Sequence, residues 1–276
     1  MNGPEDSSRC TSVLRSTSKS WAKKSDALFC AISTSLPLLR GVSVSRQAFL
    51  LINTATVSGI VGLARGDEVL AQASLQLATA SNTVVAAVDR VLVEARCTLD
   101  DVRSIVLVKG PGTFTGSRVG ASIAKAIAYA TPCSLVSVTT LEAVAWSGFL
   151  TSTPNVTGGP VWALLDARRH EFYVQEFAVR GGAVVSQADA VCMGPGAFDA
   201  VRDVGGLAVC AFSPAAVPES QRPQEYENVA WSFNEYPSCA GILAASAGAC
   251  NEDPFTLEPL YLRSTEELFD HPKAAL

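Results

Sequence analysis

The sequence is poor in the residues on which many metal and hydrolytic sites depend. Its 276 residues include only two histidines, His170 and His271, and none of its eight cysteines lies in a Cys-x-x-Cys pair. Structural zinc sites need closely spaced Cys or His ligands, and hydrolytic sites need a metal or an activated nucleophile. The sequence therefore argues against a metal centre and against peptidase chemistry. We expect reduced, buried thiols rather than disulfides.

Charged residues are also scarce, and they are unevenly distributed. They make up 17% of the chain, whereas hydrophobic residues make up 48%, a composition typical of a folded protein. Residues 1–46 carry seven basic and three acidic residues, which leaves about −9 for the remainder because the total is −5. Nucleic-acid backbones are bound by clustered Lys and Arg. The acidic remainder is therefore predicted to bind RNA poorly on its own.

The first 46 residues contain eleven serines, and the folded pattern begins only at Gln47. Their longest apolar run, 27–39, is too short to span a bilayer, and no membrane association is predicted. Three interpretations stay open: a disordered extension or one left by a start site placed too far upstream, a targeting peptide, or a functional arm. We expect a cytoplasmic protein, or an organellar one if residues 1–46 are a transit peptide.

From residue 47 onward the hydrophobic pattern predicts alternating strands and helices. Apolar runs predict strands at 48–56, 58–66, 67–76, 104–110 and 134–138. Helical spacing of apolar residues predicts helices at 81–95, 115–130 and 139–149. This order is β-β-β-α-β-α-β-α.

After a turn-rich linker at 150–160, a shorter version of the pattern follows. Strands are predicted at 161–168, 171–179, 182–191 and 206–212, with helices near 196–203 and 239–249. Two β-β-β-α-β-α units predict an α/β protein of the two-lobed actin-like, sugar-kinase and Hsp70 (ASKHA) class, in which ATP binds between the lobes. Residues 47–150 would form the first lobe, and residues 151–276 a second, degenerate lobe with a C-terminal tail.

A glycine-rich stretch, GPGTFTGSRVG, joins a predicted strand to a predicted helix. It contains Phe114 and lacks the lysine that a phosphate-binding loop of the GKT or GKS type requires. Glycine lets the backbone turn sharply and lets another backbone approach closely. We therefore interpret the stretch as a packing loop that aims the following helix at a partner. The structural residues are Gly110, Pro111, Gly112, Gly116 and Gly120.

One polar residue and one charged segment bear on whether the chain could be catalytic. Active members of the ASKHA class carry Asp after the first strand, whereas this chain has Asn53, whose amide cannot supply the charge that metal binding needs. In LLDARRHEFY, four charged residues follow a strand without a histidine or lysine nucleophile that would define a reaction. We interpret them as a salt-bridge network between the lobes. They are Asp166, Arg168, Arg169 and Glu171.

Four segments together resemble the TsaB family, also called YeaZ. They are the glycine stretch with its helix, TTLEAVA (139–145), LLDARRHEFY (164–173) and PLYLR (259–263), and the resemblance covers about 48–263. It implies a non-catalytic subunit for threonylcarbamoyladenosine (t6A) formation at adenosine 37 of tRNA. Such a subunit binds and positions a TsaD-type protein, works beside a TsaE-type ATPase, and meets tRNA only through the complex. The competing hypothesis is an independent ATP-dependent phosphotransferase or ATPase.

The same resemblance implies that helices 81–95 and 115–130 pack against the matching helices of TsaD, or against a second copy when the chain is alone. Arg118 could instead form a capping or lobe-bridging ion pair. No tightly bound cofactor is expected, and ATP or ADP at the interface of the complex stays open. The predicted interface residues are Val84, Val88, Val91, Phe114, Arg118, Ala121, Ala124 and Ala128.

Overall fold

A computed structural model describes residues 47–76, 80–151, 159–194, 196–212 and 229–262. The predicted extension 1–46 and most of the predicted linker 150–160 lie outside these ranges.

The strands are β1 (Ala48–Asn53), β2 (Ser58–Arg65), β3 (Glu68–Gln76), β4 (Val102–Val108), β5 (Ser134–Val138), β6 (Pro160–Asp166), β7 (Phe172–Arg180), β8 (Ala183–Ser186), β9 (Val191–Met193), β10 (Gly206–Cys210), β11 (Val229–Phe233) and β12 (Asn251–Glu252). The helices are α1 (Ala80–Glu94), α2 (Phe114–Ala130), α3 (Thr140–Thr151), α4 (Ala197–Val204) and α5 (Cys239–Ser246).

The two sheets repeat one strand arrangement. The first has the order β12-β5-β4-β1-β2-β3, and the second has the order β11-β10-β6-β7-β8, with β9 paired to β7. In each lobe a meander of three antiparallel strands is extended by two parallel strands on the side of its first strand. Strands β1 and β6 are almost wholly buried because they lie inside the sheets, covered on both faces. The predicted duplicated ASKHA fold is confirmed.

The structure departs from the predicted elements in three places, two in the second lobe and one at the edge of the first sheet. The single strand predicted at 182–191 is two short strands, β8 and β9, which pair with different parts of β7. Strand β11 was not predicted, because its sequence VAWSF is short and only Val229 in it is buried. Strand β12 was also not predicted, since two residues carry no periodic signal.

Helices α3 and α5 lie between the sheets and pack against each other. A Cβ atom on Gly241 of α5 would come within 2.9 Å of the Ala143 carbonyl oxygen and would overlap the Ser147 hydroxyl of α3. The Ser147 hydroxyl also accepts a hydrogen bond of 2.9 Å from the Ser238 amide. This close contact fixes the relative position of the two lobes.

The chain returns from the second lobe to the first through residues 251–262, here called the C-terminal strap. Strand β12 pairs antiparallel with the edge strand β5, and Glu252 forms a 2.9 Å ion pair with Lys109. Further along, Leu257 is buried in the core of the first lobe, and Lys125 of α2 donates a 2.9 Å hydrogen bond to its carbonyl oxygen. The strap therefore runs beside α2.

The cysteines are less buried than expected. Cys210 and Cys239 are buried, and burial raises the pKa of the Cys239 thiol to about 12. Cys192 and Cys250 are exposed, and Cys97 and Cys133 are half-buried. The expectation of buried thiols is therefore corrected for the exposed pair, which lies on the short strand β9 and next to β12.

Candidate partner-binding surface and interlobe cavity

The inward faces of α1 and α2 cover the first sheet. Most of the predicted interface residues lie on these faces, within the aliphatic core. Residues in a protein's own core are not available to another protein, so this part of the interface prediction is corrected. The buried members of the predicted interface are Val84, Val88, Val91, Ala121 and Ala124, and the half-buried Ala128 packs against the same core.

The outward faces of the same two helices are available. On α1, Val85 and Val93 are 51% and 77% exposed, and on α2 the ring of Tyr129 is 77% exposed. The small side chain of Ala126 on α2 is exposed too. Both helices cover the same side of the first sheet, so these outward faces form one surface. We call the outward faces of α1 and α2 the helical face.

At the beginning of α2, Phe114 and Arg118 form a cluster with the strap. The Arg118 guanidinium lies 4.1 Å from the centre of the Phe114 ring, and Arg118 Nε donates a 3.1 Å hydrogen bond to the Tyr261 hydroxyl. The Phe114 and Tyr261 rings are 5.3 Å apart. Of the predicted interface residues, Arg118 is exposed, and Phe114 and Ala128 are half-buried.

The glycine-rich stretch lies against the turn between β1 and β2. A Cβ atom on Gly112 would overlap the Ala55 carbonyl oxygen, and one on Gly116 would overlap the Thr54 carbonyl oxygen. Gly110 has a φ of +118° and abuts the Leu260 carbonyl of the strap. The Thr113 amide donates a 2.6 Å hydrogen bond to the Ala55 carbonyl. The stretch is thus a site of close backbone packing.

The side chain of Asn53 is occupied by its own loop. Its carbonyl oxygen accepts a hydrogen bond of 3.1 Å from the Ala55 amide, and its amide nitrogen donates one of 2.8 Å to the Thr56 hydroxyl. Asn53 is fully buried. The residue at the position of the ASKHA carboxylate therefore shapes the β1–β2 turn.

The charged segment after β6 forms a tight turn. Arg168, Arg169 and His170 have φ values of 65°, 57° and 60°, in the left-handed region. Asp166 accepts a 2.7 Å hydrogen bond from the Arg168 amide, and their side chains are 3.9 Å apart. The Glu171 amide donates to the Arg168 carbonyl within the same turn. These contacts join neighbours within the turn and do not bridge the lobes.

A cavity of about 510 Å³ lies between the lobes. The first lobe contributes the β1–β2 turn and the beginning of α2, including Phe114, and the second contributes the turn after β6 and the ring of Tyr173. Glu235, which the sequence analysis missed, also lines the cavity and accepts a 3.2 Å hydrogen bond from Ser58 across the lobes. Nothing in the sequence around Glu235 indicated this contact, since it depends on how the lobes meet.

Within the described ranges, no group of three or more His, Cys, Asp and Glu side chains is arranged to hold a metal ion. None of the described helices combines the length and the apolar character needed to traverse a bilayer.

Comparison with known proteins identifies the family. The model of the family described as TsaD, tRNA N6-adenosine threonylcarbamoyltransferase, matches residues 78–234, more than half of the chain. An uncharacterized protein of Mycobacterium tuberculosis is 30% identical over 231 residues, which cover 80% of this chain and 93% of that protein. The tRNA threonylcarbamoyladenosine biosynthesis protein TsaB of Haemophilus influenzae is 30% identical over 128 residues, 46% of this chain and 52% of that protein.

The fold comparison agrees with these sequence matches. The structure of YeaZ from Pseudomonas aeruginosa superimposes with a TM-score of 0.62 at 18% identity, covering 78% of this chain and all of that one. The strand order, the sequence relatives and this superposition point to the same group of proteins. The chain therefore belongs to the family of the matching TsaD model, and the predicted similarity to the TsaB (YeaZ) proteins is confirmed.

Proposed function

We propose that this protein acts in t6A formation as a subunit that binds and positions a TsaD-type protein through the helical face. The names of the TsaB relatives support the pathway. The observation that carries the mode of action is the distribution of exposed apolar side chains. Among the described residues, seven large apolar side chains are exposed, and Val85, Val93 and Tyr129 lie on this one face. Large exposed apolar patches mark sites of protein association.

We infer that the chain has no catalytic role of its own. Asn53 supplies no negative charge, and its amide is engaged by the β1–β2 turn. Asp166 contacts Arg168 within its own turn. The acidic balance of the chain beyond residue 46 supports contact with tRNA through the complex only. A TsaE-type ATPase would act on the same complex.

Light scattering after gel filtration tests this proposal with the full-length chain, alone and mixed with the TsaD-type protein of the same organism. We expect a heterodimer peak with the native chain. Ala126→Glu places a charge on the helical face and is expected to weaken the complex at least about tenfold. Because Ala126 is exposed, thermal unfolding should stay unchanged.

Val204→Glu is the matched control, since Val204 is 43% exposed on α4 of the second lobe. This variant should bind like the native chain. Ala124→Glu is unsuitable, because Ala124 is fully buried and a charge there would disrupt the core. No complex at micromolar concentrations would remove the proposed function.

The interlobe cavity favours a second candidate, an ATP-dependent phosphotransferase. Its volume suits a small ligand, and Arg168 and Arg169 line it, although its described lining contains no lysine. We propose that the isolated chain binds no nucleotide tightly and that any ATP or ADP is held in the complex. Titration calorimetry with ADP tests this. Micromolar binding together with ATP turnover by the isolated chain would favour the phosphotransferase.

A further inference from the structure

The C-terminal strap lies along α2 on the side away from α1. Strand β12 extends the sheet beyond β5, whereas α1 covers β2 and β3 at the opposite end. From there the strap contacts α2 at both ends. Phe255 meets Tyr129 near the end of the helix, with ring centres 5.9 Å apart, and Tyr261 meets Phe114 at its beginning. The strap therefore borders the helical face along the whole length of α2.

A turn at the beginning of the strap separates an outward from an inward side chain. Asp253 accepts a 2.9 Å hydrogen bond from the Phe255 amide, and its carbonyl oxygen accepts 2.9 Å and 3.1 Å hydrogen bonds from the amides of Leu257 and Thr256. Leu257 is 3% exposed in the core, whereas Phe255 is 76% exposed. The buried leucine anchors the turn, so the aromatic ring is held out of the core in a fixed place.

The size of the helical face indicates that the strap is needed. Helices of 15 and 17 residues are about 22 Å and about 25 Å long at 1.5 Å per residue. Two helices about 10 Å apart then offer roughly 500 Å². A stable interface buries about 800 Å² on each partner. A chain segment bordering the whole of α2 adds roughly 250 Å², which brings the surface close to that size.

We propose that the partner-binding surface extends from the helical face onto the strap, with the Tyr129–Phe255 pair as its aromatic anchor. The occupant is the TsaD-type protein of the proposed function, because the exposed rings of Tyr129 and Phe255 and small exposed side chains such as Ala126 fit an apolar protein surface and not a charged ligand. This inference rests on the proposed function, which concerns α1 and α2 only. Aromatic side chains are frequent among the residues that contribute most to association, and a side chain held in place before binding loses little conformational freedom.

The test compares Phe255→Ala with the native chain by isothermal titration of the TsaD-type protein. We expect the affinity to fall about tenfold or more, the usual effect of removing an interface aromatic anchor. The melting temperature should not change, because the ring is exposed and Leu257 keeps the strap in the core. Leu150→Ala is the matched control, since Leu150 is 49% exposed on α3, and it should bind normally.

The outcomes separate this inference from the proposed function. If the native chain binds and Ala126→Glu does not, but Phe255→Ala binds like the native chain, the strap lies outside the interface and the inference is wrong. If the native chain forms no complex, the proposed function itself fails. If Phe255→Ala instead dissociates a homodimer while no complex with the TsaD-type protein forms, the occupant is a second copy and the proposal is overturned.

Discussion

The two lobes share one strand order but fill the space over their sheets differently. The first lobe has long helices and an aliphatic core rich in Ala, Val and Leu. In the second lobe, α4 has only eight residues, and the core over the sheet contains Trp162, Phe172, Phe198 and Phe212. Three of these phenylalanine rings contact one another. Small side chains let long helices lie close to the first sheet. Over the second sheet the helix is short, and large rings fill the space that it leaves.

This difference bears on the proposed function. Long helices in contact with the sheet along one side leave an equally long side exposed. In the described part of the second lobe, Val204 is the only large exposed apolar residue on a helix that covers the outer side of its sheet. The duplicated fold therefore offers an extended helical face on the first lobe.

The largest expected effect on the free energy of unfolding comes from replacing a glycine at the start of a helix. Gly116→Ala should lower the free energy of unfolding by about 3 kcal/mol or more, because the new Cβ overlaps the Thr54 carbonyl oxygen. Gly196→Ala, just before α4, should change it by less than about 0.5 kcal/mol, since no atom lies within 4 Å of the new Cβ and φ is −65°. Urea unfolding followed by circular dichroism measures both. Equal effects would contradict the contrast between the lobes.

A smaller effect on the free energy of unfolding is expected at the N-terminal caps of α3 and α5, which are built alike. The Thr139 hydroxyl accepts from the Glu142 amide at 3.1 Å, and the Ser238 hydroxyl accepts from the Gly241 amide at 3.0 Å. Thr139→Ala and Ser238→Ala should each lower the free energy of unfolding by about 1 kcal/mol, because each leaves an N-terminal amide unpaired. The same urea titrations measure this, with Thr115→Ala, exposed on α2, as a control. A loss in only one variant would show that the two caps are not equivalent.

The smallest effect is a contrast in pH dependence between two glutamates. Hydrogen bonds from Ser137 and Lys109 lower the pKa of Glu252 on the first sheet, whereas burial raises the pKa of Glu176 on the second. Ionised Glu252 therefore stabilises the fold above its ordinary pKa of 4.5, and this contribution is lost as the pH falls through the lowered value. Protonated Glu176 stabilises below 4.5, and that contribution is lost as the pH rises through the raised value.

At pH 7 we therefore expect Glu252→Gln to be less stable than the native chain and Glu176→Gln to be more stable. Both differences should shrink as the pH is lowered towards 3. Thermal unfolding between pH 3 and pH 7 measures them. A Glu252→Gln difference that grows towards acid would contradict the assigned cause.

Most of the regular structure followed from hydrophobic period and turn residues. The hairpin of β2 and β3 and the helices α1 and α2 begin and end within two residues of the predicted positions. Thr139 was predicted to open a helix, and it caps α3 together with Glu142. Strand β12 could not be predicted from the hydrophobic period, because its two residues form a strand only by pairing with β5.

The exposed side of α1 was harder to predict from the sequence. The helical period explains why buried residues were assigned to the interface. Val84, Val88 and Val91 were assigned to the interface because the resemblance to the TsaB family implies that α1 packs against a TsaD-type protein, and they form one apolar stripe of that helix. That stripe is the one that the sheet covers. With about 3.6 residues per turn, Val93 lies opposite Val84, whereas Val85 lies at the edge of the covered stripe. The outward face could therefore have been found by asking which stripe the sheet covers.

The amino-acid sequence by itself determined most of the strand and helix order, the duplication of the lobes and the close packing of the glycine-rich stretch, because these depend on local period and on side-chain size. Only the tertiary structure decided which face of each helix is exposed, that Glu235 meets Ser58 across the lobes, and that the strap returns to lie beside α2. These features join residues far apart in the chain. Their positions depend on how two sheets and the helices between them pack, which no local pattern specifies.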